Sequence, residues 1–146
     1  QSLADYPTGL TTQFDAVTQV DHTQMDNLIR FLKNKQIDRG YTNYWVAYPL
    51  AFRSEEELIF IPRLPYHPNL LYTSRDDRYP PYAELVENSE EIAYITTHHR
   101  ALNDYLRDQF RQEGISWKEV IIGDYQVFFE LSLPLRPEEM GLEEES

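Results

Sequence analysis

The residue types best suited to bind a polar ligand lie in two short stretches. One is Arg75-Asp76-Asp77-Arg78 with Tyr79 and Tyr82 close behind, and the other is the pair His98-His99. Carboxylates accept hydrogen bonds from hydroxyl groups, and tyrosine rings offer flat apolar surface beside them, a combination that suits a sugar. Charged groups in a loop are more often solvated or paired with each other. Both interpretations of the first stretch stay open.

The histidines give little support to a metal site. Neighbouring residues on a helix point about 100° apart, so His98 and His99 rarely bind one ion. His22 and His67 stand alone, and the chain has neither a cysteine nor an H-x-x-x-H motif. We therefore expect no metal ion and no cofactor, with His98 and His99 at the start of a helix.

Composition excludes several other classes of function. The net charge is −12, to which the five glutamates after Pro137 contribute −5, and no basic stripe is present. Such a charge repels phosphate backbones, so we expect no nucleic-acid partner. No run of about 18 apolar residues occurs, so the chain as it stands is expected to be soluble.

Motifs of a stand-alone enzyme are missing. The chain lacks G-x-G-x-x-G, G-x-x-x-x-G-K-[ST] and G-x-S-x-G, and its five glycines supply few phosphate-binding loops. We expect no catalysis by this chain alone and assign no catalytic residue. A weaker alternative is a hydrolase or transferase acting through Asp76, Asp77 and either His98 or His99.

The elements that must position these residues begin with a helix. Residues 1–20 are polar and aperiodic and are predicted to be a linker or lead-in. Asp21 and Gln24 form a capping-box pattern, and a helix is predicted over about residues 23–36 from the apolar stripe Met25, Leu28, Ile29 and Leu32. Gly40 is expected to terminate it.

A strand to about Tyr44 and then a short helix are predicted within Gly40 to Ser54, with Pro49 in the first turn of that helix. The aromatic residues Trp45, Tyr48 and Phe52 recur at helical spacing, which favours packing on a sheet. Residues 58–61 form a continuous apolar run, typical of a central strand covered on both faces.

The second half predicts further alternation of helices and strands. Five prolines between residues 62 and 81 indicate a loop, and Pro80-Pro81 starts a helix that runs through Asn88. A strand at 92–95 precedes a helix capped by Thr96 or Thr97 and closed by Gly114. Gly123-Asp124 connects two apolar runs, as in a tight hairpin.

This order predicts an α/β fold, a small three-layer α/β/α sandwich whose mostly parallel sheet has a C-terminal antiparallel hairpin as its edge. Residues 21–133 form a single domain in this interpretation, and the acidic residues 134–146 form a disordered tail. Ligands of open α/β sheets bind outside the carboxyl ends of the strands. The candidate ligand-binding residues are therefore Asn43, Tyr44, Trp45, Arg63, Asp76, Asp77, Arg78, Tyr79, His98 and His99.

Four stretches carry a resemblance to a known family. They are Gly40-Tyr41-Thr42-Asn43-Tyr44-Trp45-Val46-Ala47-Tyr48-Pro49-Leu50-Ala51-Phe52-Arg53-Ser54, Arg78-Tyr79-Pro80-Pro81-Tyr82, Ala93-Tyr94-Ile95 and Gly123-Asp124-Tyr125-Gln126-Val127-Phe128-Phe129. Together they resemble the extramembrane C-terminal region of multi-spanning bacterial glycosyltransferases of the GT-C class, relatives of the protein mannosyltransferases. These enzymes take sugars from lipid-linked donors. The likeness covers about residues 25–131.

The resemblance implies a non-catalytic accessory domain on the non-cytoplasmic face of a membrane. Its partner would be the membrane-embedded part of the same polypeptide, which it would stabilise or to which it would guide a carbohydrate acceptor. The acidic catalytic residue of the family lies in a loop between early membrane spans, so it has no counterpart here. The alternative from the residues alone is a free-standing α/β module that binds a small polar ligand such as a sugar.

Overall fold

The computed structural model describes the backbone of residues 10–64, 71–72, 80–141 and 143–144, and the side chains of residues 23–64 and 80–141. The helices are α1 (Leu10–Lys35), α2 (Tyr44–Arg53), α3 (Pro80–Glu87) and α4 (Arg100–Gln112), with a 3₁₀ turn at Pro137–Met140. The strands are β1 (Arg39–Thr42), β2 (Ile59–Pro62), β3 (Leu71–Tyr72), β4 (Ala93–Thr97), β5 (Lys118–Ile122), β6 (Tyr125–Phe129) and β7 (Glu143–Glu144). The chain is thus an α/β protein, as predicted.

The main sheet is mixed. Its five strands run in the order β2-β1-β4-β6-β5, and β3 pairs separately with β7. Strand β1 is parallel to both β2 and β4, whereas β6 is antiparallel to both β4 and β5. The predicted mostly parallel sheet is therefore wrong. The second strand of the hairpin lies beside β4, so the hairpin adds two antiparallel pairings and leaves β5 at the edge.

The core consists of two hydrophobic clusters, between which the side chains of β4 alternate. Ala93 and Ile95 belong to one cluster, together with Met25, Leu28 and Leu32 of α1 and Val46 and Leu50 of α2. Tyr94 belongs to the other, together with Val86 of α3 and Leu102, Leu106 and Phe110 of α4. This period-2 alternation is what a sheet with two apolar faces requires.

Helix α1 starts earlier than predicted and ends where predicted. Residues 10–20, expected to be a lead-in, are helical from Leu10 onward. A signal was present, since Leu10, Phe14 and Val17 follow the i, i+4, i+7 spacing of a helix.

The terminator of α1 is Gln36 and not Gly40. Gln36 has a φ of +61°, and its N–H donates to Lys33 O at 3.1 Å while Ile37 N–H donates to Leu32 O at 2.9 Å. This pair of bonds is a Schellman motif, which a non-glycine residue forms at some cost. Gly40 instead lies in β1.

The predicted position of Pro49 in α2 and the predicted place of β2 in the sheet are both wrong. Asn43 caps α2, so the helix begins at Tyr44 and Pro49 lies in its interior instead of its first turn. The missing N–H of Pro49 deprives the carbonyl of Trp45 of its helical partner. Strand β2 is buried along its whole length, as predicted, but it lies at the edge of the main sheet and not at its centre.

Helix α3 begins at Pro80, and α4 is closed by Gly114 with a φ of +70°, both as predicted. The hairpin is confirmed by the pairing of Ile122 with Tyr125. The cap of α4 is His99, however, because β4 continues through the expected caps Thr96 and Thr97.

Residues 134–141, which we call the C-terminal strap, pack on the domain instead of forming part of a disordered tail. Leu135, Pro137 and Met140 are buried, and Leu135 and Met140 join the cluster of Tyr94 and Phe110. The acidic composition suggested disorder. The apolar residues spaced along the strap outweigh that tendency by burying surface.

Candidate functional site

A crevice is expected at the carboxyl ends of β1 and β4. These strands are adjacent and parallel. Of the helices that follow them, α4 packs into the cluster of Tyr94, whereas Val46 and Leu50 of α2 pack into the other cluster. Chain segments that leave neighbouring parallel strands toward opposite faces open a crevice between them, where α/β proteins bind ligands. Thr42, Asn43, Thr97 and His98 lie at this point of the sheet.

Asn43 ties the two sides of the crevice together. It is buried, its Oδ1 accepts from Val46 N–H as the cap of α2, and its Nδ2 donates to Thr97 Oγ1 at 2.9 Å. Beneath it, Thr42 Oγ1 donates to Ile95 O at 2.8 Å. Because both polar groups of Asn43 are used within the protein, its role is to position the strand ends.

A series of side-chain hydrogen bonds connects β4 with β5. Thr96 Oγ1 donates to Asn103 Oδ1 at 2.5 Å, and Asn103 Nδ2 donates to Gln126 Oε1 at 3.2 Å. Gln126 Nε2 in turn donates to Glu119 Oε1 at 2.9 Å. These bonds fix the amides of Asn103 and Gln126 at one wall of an open depression.

This depression has a volume of about 350 Å³ and is lined by His98, Arg100, Asn103, Asp104, Arg107 and Gln126. We call it the polar depression. Among the described residues, Arg100 makes no hydrogen bond or ion pair, so its guanidinium is available to a ligand. An arginine and a carboxylate in one concave surface suit a ligand rich in hydroxyl groups, or one that carries both charges.

The two histidines have different partners. His98 has a φ of +50° and its Nε2 lies 2.7 Å from Asp124 Oδ1, with most of the side chain exposed. His99 Nδ1 accepts from Leu102 N–H at 3.1 Å and caps α4. Across residues 23–64 and 80–141, no three His, Asp or Glu side chains gather as a metal ion requires.

Glu119 is the most strongly held carboxylate near the depression. Arg107 Nε and Nη2 donate to its two oxygens at 2.8 and 2.9 Å, and Trp117 Nε1 donates at 2.8 Å. The hydrogen bond from Arg107 lowers the pKa of Glu119 below its ordinary value, against the opposing effect of burial. Arg107 also lies over the Phe128 ring, 5.7 Å from its centroid. Arg107 is therefore committed to structure.

The other predicted site residues lie elsewhere or outside the described residues. Arg63 follows β2 and lies 3.6 Å from Glu87, with β1 between its strand and β4. The structure thus places Asn43, His98 and His99 at the carboxyl ends of β1 and β4, and Arg63 at the carboxyl end of β2, where Pro62 pairs with Thr42. Four predicted residues lie outside the described residues: Asp76, Asp77, Arg78 and Tyr79.

Trp45 belongs to a different surface, and the half-buried Tyr44 lies edge-on to its ring. Trp45 is 65% exposed and Phe52 is 83% exposed, Pro49 between them is exposed, and Tyr48 is half-buried. We call these four residues the aromatic face of α2. The prediction that Trp45 and Phe52 are core is wrong, because the buried side of α2 is aliphatic and consists of Val46, Ala47, Leu50 and Ala51. The pairs Val46-Ala47 and Leu50-Ala51 lie four residues apart, and this helical spacing was the overlooked signal for the buried side of α2.

The residues that line the polar depression were largely missed. Only His98 among them was predicted, whereas Arg100, Asn103, Asp104, Arg107 and Gln126 were not. Asn103 carried a usable signal, because it is a polar residue next to Leu102 on the buried stripe of α4, where it is only 7% exposed. A buried amide must be hydrogen-bonded and so indicates a polar network.

Comparison of the chain with models of protein families, with curated proteins and with solved structures gives no match. Within the part of the chain that the structure describes, none of the helices combines the length and the apolarity needed to cross a bilayer. The geometry of the site and of the exposed surfaces is therefore what supports a function.

Proposed function

We propose that this chain is a non-catalytic accessory domain of a membrane glycosyltransferase that uses a lipid-linked sugar donor. In this proposal it lies on the non-cytoplasmic face and contacts the membrane-embedded part of the same polypeptide. It would stabilise that part or guide a carbohydrate acceptor to it. The resemblance in residues 25–131 suggests the class of enzyme, and the aromatic face of α2 is the observation that carries the proposal.

The aromatic face has the composition of a contact surface. Trp45 and Phe52 together offer large apolar area to water, and aromatic side chains are enriched at the centres of protein interfaces. Tyr44 lies edge-on to Trp45, with ring centroids 5.3 Å apart, and also contacts Tyr48 at 5.8 Å. Neighbouring rings hold one another in place, so little side-chain entropy is lost when a partner binds.

The first test is the gene that encodes this chain. It should also encode several apolar segments of about 20 residues upstream of Gln1. A reading frame without them removes the accessory-domain proposal.

The second test uses the full-length polypeptide in membranes. Replacing Trp45 and Phe52 with alanine should reduce sugar transfer from the lipid-linked donor by about tenfold, which corresponds to the loss of about 1.4 kcal/mol of contact energy. The matched control is Ile121→Ala, since Ile121 is 69% exposed on strand β5, away from α2 in the sequence. Equal transfer by both variants at equal protein level would argue against a docking role.

The second candidate is a module that binds a small polar ligand in the polar depression. The free guanidinium of Arg100 in the same depression as Asp104 favours this function, with the paired amides of Asn103 and Gln126 fixing the wall. Titration of the ¹⁵N-labelled chain with monosaccharides, sugar phosphates and nucleotides should give saturable shifts around residues 98–107. Arg100→Ala should abolish them, and Arg111→Ala on the same helix should not. Shifts that never saturate count against this candidate.

We also infer that the fold is a three-layer sandwich, with α1 and α2 on one face of the mixed sheet and α3 and α4 on the other. The two hydrophobic clusters support this arrangement, since α1 and most of the buried side of α2 supply one of them and α3 and α4 supply the other, which Ala51 of α2 also joins. It would place the aromatic face and the polar depression on different sides of the sheet, so both candidate functions are compatible with one molecule.

A further inference from the structure

The C-terminal strap is held in the manner of a bound peptide. The hydroxyl of Tyr94 donates to Leu135 O and the hydroxyl of Tyr105 donates to Met140 O. Side chains of the domain thus bind backbone carbonyls of the strap at both of its ends. Leu135 and Met140, five positions apart, are its two buried apolar anchors.

Arg136 adds a specific polar contact between these anchors. Its Nη1 donates to Tyr41 Oη at 2.9 Å and to Val86 O at 3.0 Å, and its Nη2 donates to Ser89 O at 2.7 Å. The last two acceptors are backbone carbonyls at the carboxyl end of α3, where a cation is also favoured by the helix dipole. The planar guanidinium presents donors on two nitrogens and so reaches all three acceptors.

Removing the strap would open a groove that runs from α3 to α4. Its floor would include Tyr41 and Tyr94, and its far wall would carry Tyr105 and Leu106, all members or neighbours of one hydrophobic cluster. Such a groove would recognise an apolar anchor, an arginine directly after it, and a second apolar anchor four residues later. The strap itself has that sequence.

The connection to the strap favours its exchange between molecules. Strand β6 ends at Phe129, and Glu130 directly after it has a φ of +53°, a left-handed conformation that strains a residue with a Cβ. Only residues 130–133 link the sheet to the strap. A short, strained hinge is the feature that promotes domain swapping, because an extended hinge relieves the strain.

We propose that the groove between α3 and α4 is a docking surface for the C-terminal strap of a second copy of this chain, so that two molecules exchange straps. The contacts in the exchanged dimer are those of the monomer, and only the hinge differs. The dimer is therefore favoured by high protein concentration during folding, and not by any new interface.

The groove is tested with a fluorescein-labelled peptide of residues 133–141 and full-length variants of the chain. In the unmodified protein the tethered strap competes at an effective concentration on the order of millimolar, so micromolar peptide should bind weakly. In the double variant Leu135→Ser/Met140→Ser the tethered strap binds the groove less tightly, so a larger fraction of the grooves is open. The peptide should therefore bind at least about tenfold more tightly than to the unmodified protein.

Two further variants keep this test decisive. Arg136→Ala retains both apolar anchors and replaces the double variant as the open-groove protein if the double variant does not fold. A labelled peptide carrying the same Arg136→Ala change should bind the open groove less tightly, and Tyr105→Phe in the open-groove protein should weaken the unmodified peptide. A folded open-groove variant that binds no peptide overturns the proposal.

Exchange of straps between two copies is tested by refolding the unmodified chain at about 10 µM and at about 1 mM. The molecular mass of the product is then measured by light scattering. Dimer should form at the higher concentration, and Glu130→Gly should reduce its fraction because glycine relieves the hinge strain. Binding of peptide without dimer at any concentration overturns the second copy as occupant.

Discussion

Gly40 shows how closely two strands of this sheet approach at one residue. A Cβ at this position would lie 2.1 Å from Ala93 O and 2.6 Å from a ring carbon of Phe60. Both distances are far inside van der Waals contact, and a strand carbonyl cannot move without breaking its pairing. The residue is therefore glycine for reasons of packing and not to end the preceding helix.

Replacing Gly40 with alanine should lower the free energy of unfolding by about 3 kcal/mol or more, since the overlap falls on backbone. The matched control is Gly114→Ala, where nothing lies within 4 Å but φ is +70°, and a loss of about 1 kcal/mol is expected. Urea unfolding of the two variants measures the difference. Equal midpoints would contradict the predicted overlap.

Glu119 makes the stability of the protein sensitive to acid. Its pKa is lowered in the folded state by the hydrogen bond from Arg107, so its contribution is present above the ordinary carboxylate pKa of about 4.3 and is lost as pH falls below it. Glu119→Gln should be less stable at pH 7 by about 1 kcal/mol, and the gap should narrow below pH 4. Thermal unfolding from pH 7 to pH 3 measures this. A constant gap would assign the loss to packing.

At the scale of single elements, the residue that ends α1 has a strained backbone conformation that a substitution can relieve. Gln36 occupies the left-handed position of a Schellman motif with a φ of +61°. Gln36→Gly should stabilise the chain by about 0.5–1 kcal/mol, because glycine adopts this conformation without steric cost. The control is Gln36→Ala, which should leave stability within about 0.5 kcal/mol. Denaturant midpoints of the three proteins decide the order.

The junction between β1 and α2 depends on Asn43, which caps the helix and also binds Thr97. Asn43→Ala should cost about 2 kcal/mol, since it removes both bonds. Thr97→Val removes only the bond to β4 and should cost less. In a double-mutant cycle the two changes should be non-additive, because they share a partner. Fully additive losses would show that the 2.9 Å contact contributes nothing to stability.

The elements that could be predicted from sequence are those with local signals. The stripe of α1 from Met25, the start of α3 at Pro80, the closure of α4 at Gly114 and the hairpin at Gly123 all depend on residues close in the chain. The order of the strands does not. Pro62 was the local hint that β2 is an edge strand, but the continuous apolar run outweighed it, because the burial of β2 comes from helices and not from flanking strands.

The site was harder to predict for the same reason. His98 was found because histidines are rare and reactive, whereas Arg100, Asn103 and Gln126 come together only when β6 lies beside β4. The aromatic residues of α2 were predicted to face the core, but they face solvent. Helical spacing is followed both by Trp45, Tyr48 and Phe52 and by the buried aliphatic residues of α2. Hydrophobicity alone could not choose between two apolar faces.

At the scale of the whole molecule, the C-terminal strap joins β1, β4, α3 and α4. Burial raises the pKa of Tyr94 well above its ordinary value, and burial also raises that of Tyr41, against the effect of Arg136. Both tyrosines therefore contribute stability that is fully present below about pH 10 and decreases above it, because the unfolded chain ionises first.

Tyr94→Phe tests this dependence. The variant should lose about 1 kcal/mol at pH 7 with the bond to the strap, and its stability should fall less steeply than that of the unmodified protein above pH 10. Urea unfolding between pH 8 and pH 11 gives both curves. Parallel curves would show that Tyr94 does not couple the strap to pH.

The exposure of the two tryptophans gives the molecule a built-in pair of optical probes. Trp45 is 65% exposed on α2, whereas Trp117 is partly covered, with its indole N–H held by Glu119 and Arg111 5.8 Å from its ring centroid. Iodide in solution should therefore quench the emission of Trp45 more than that of Trp117. Loss of the quenchable component on adding a partner would report contact at α2 without any label.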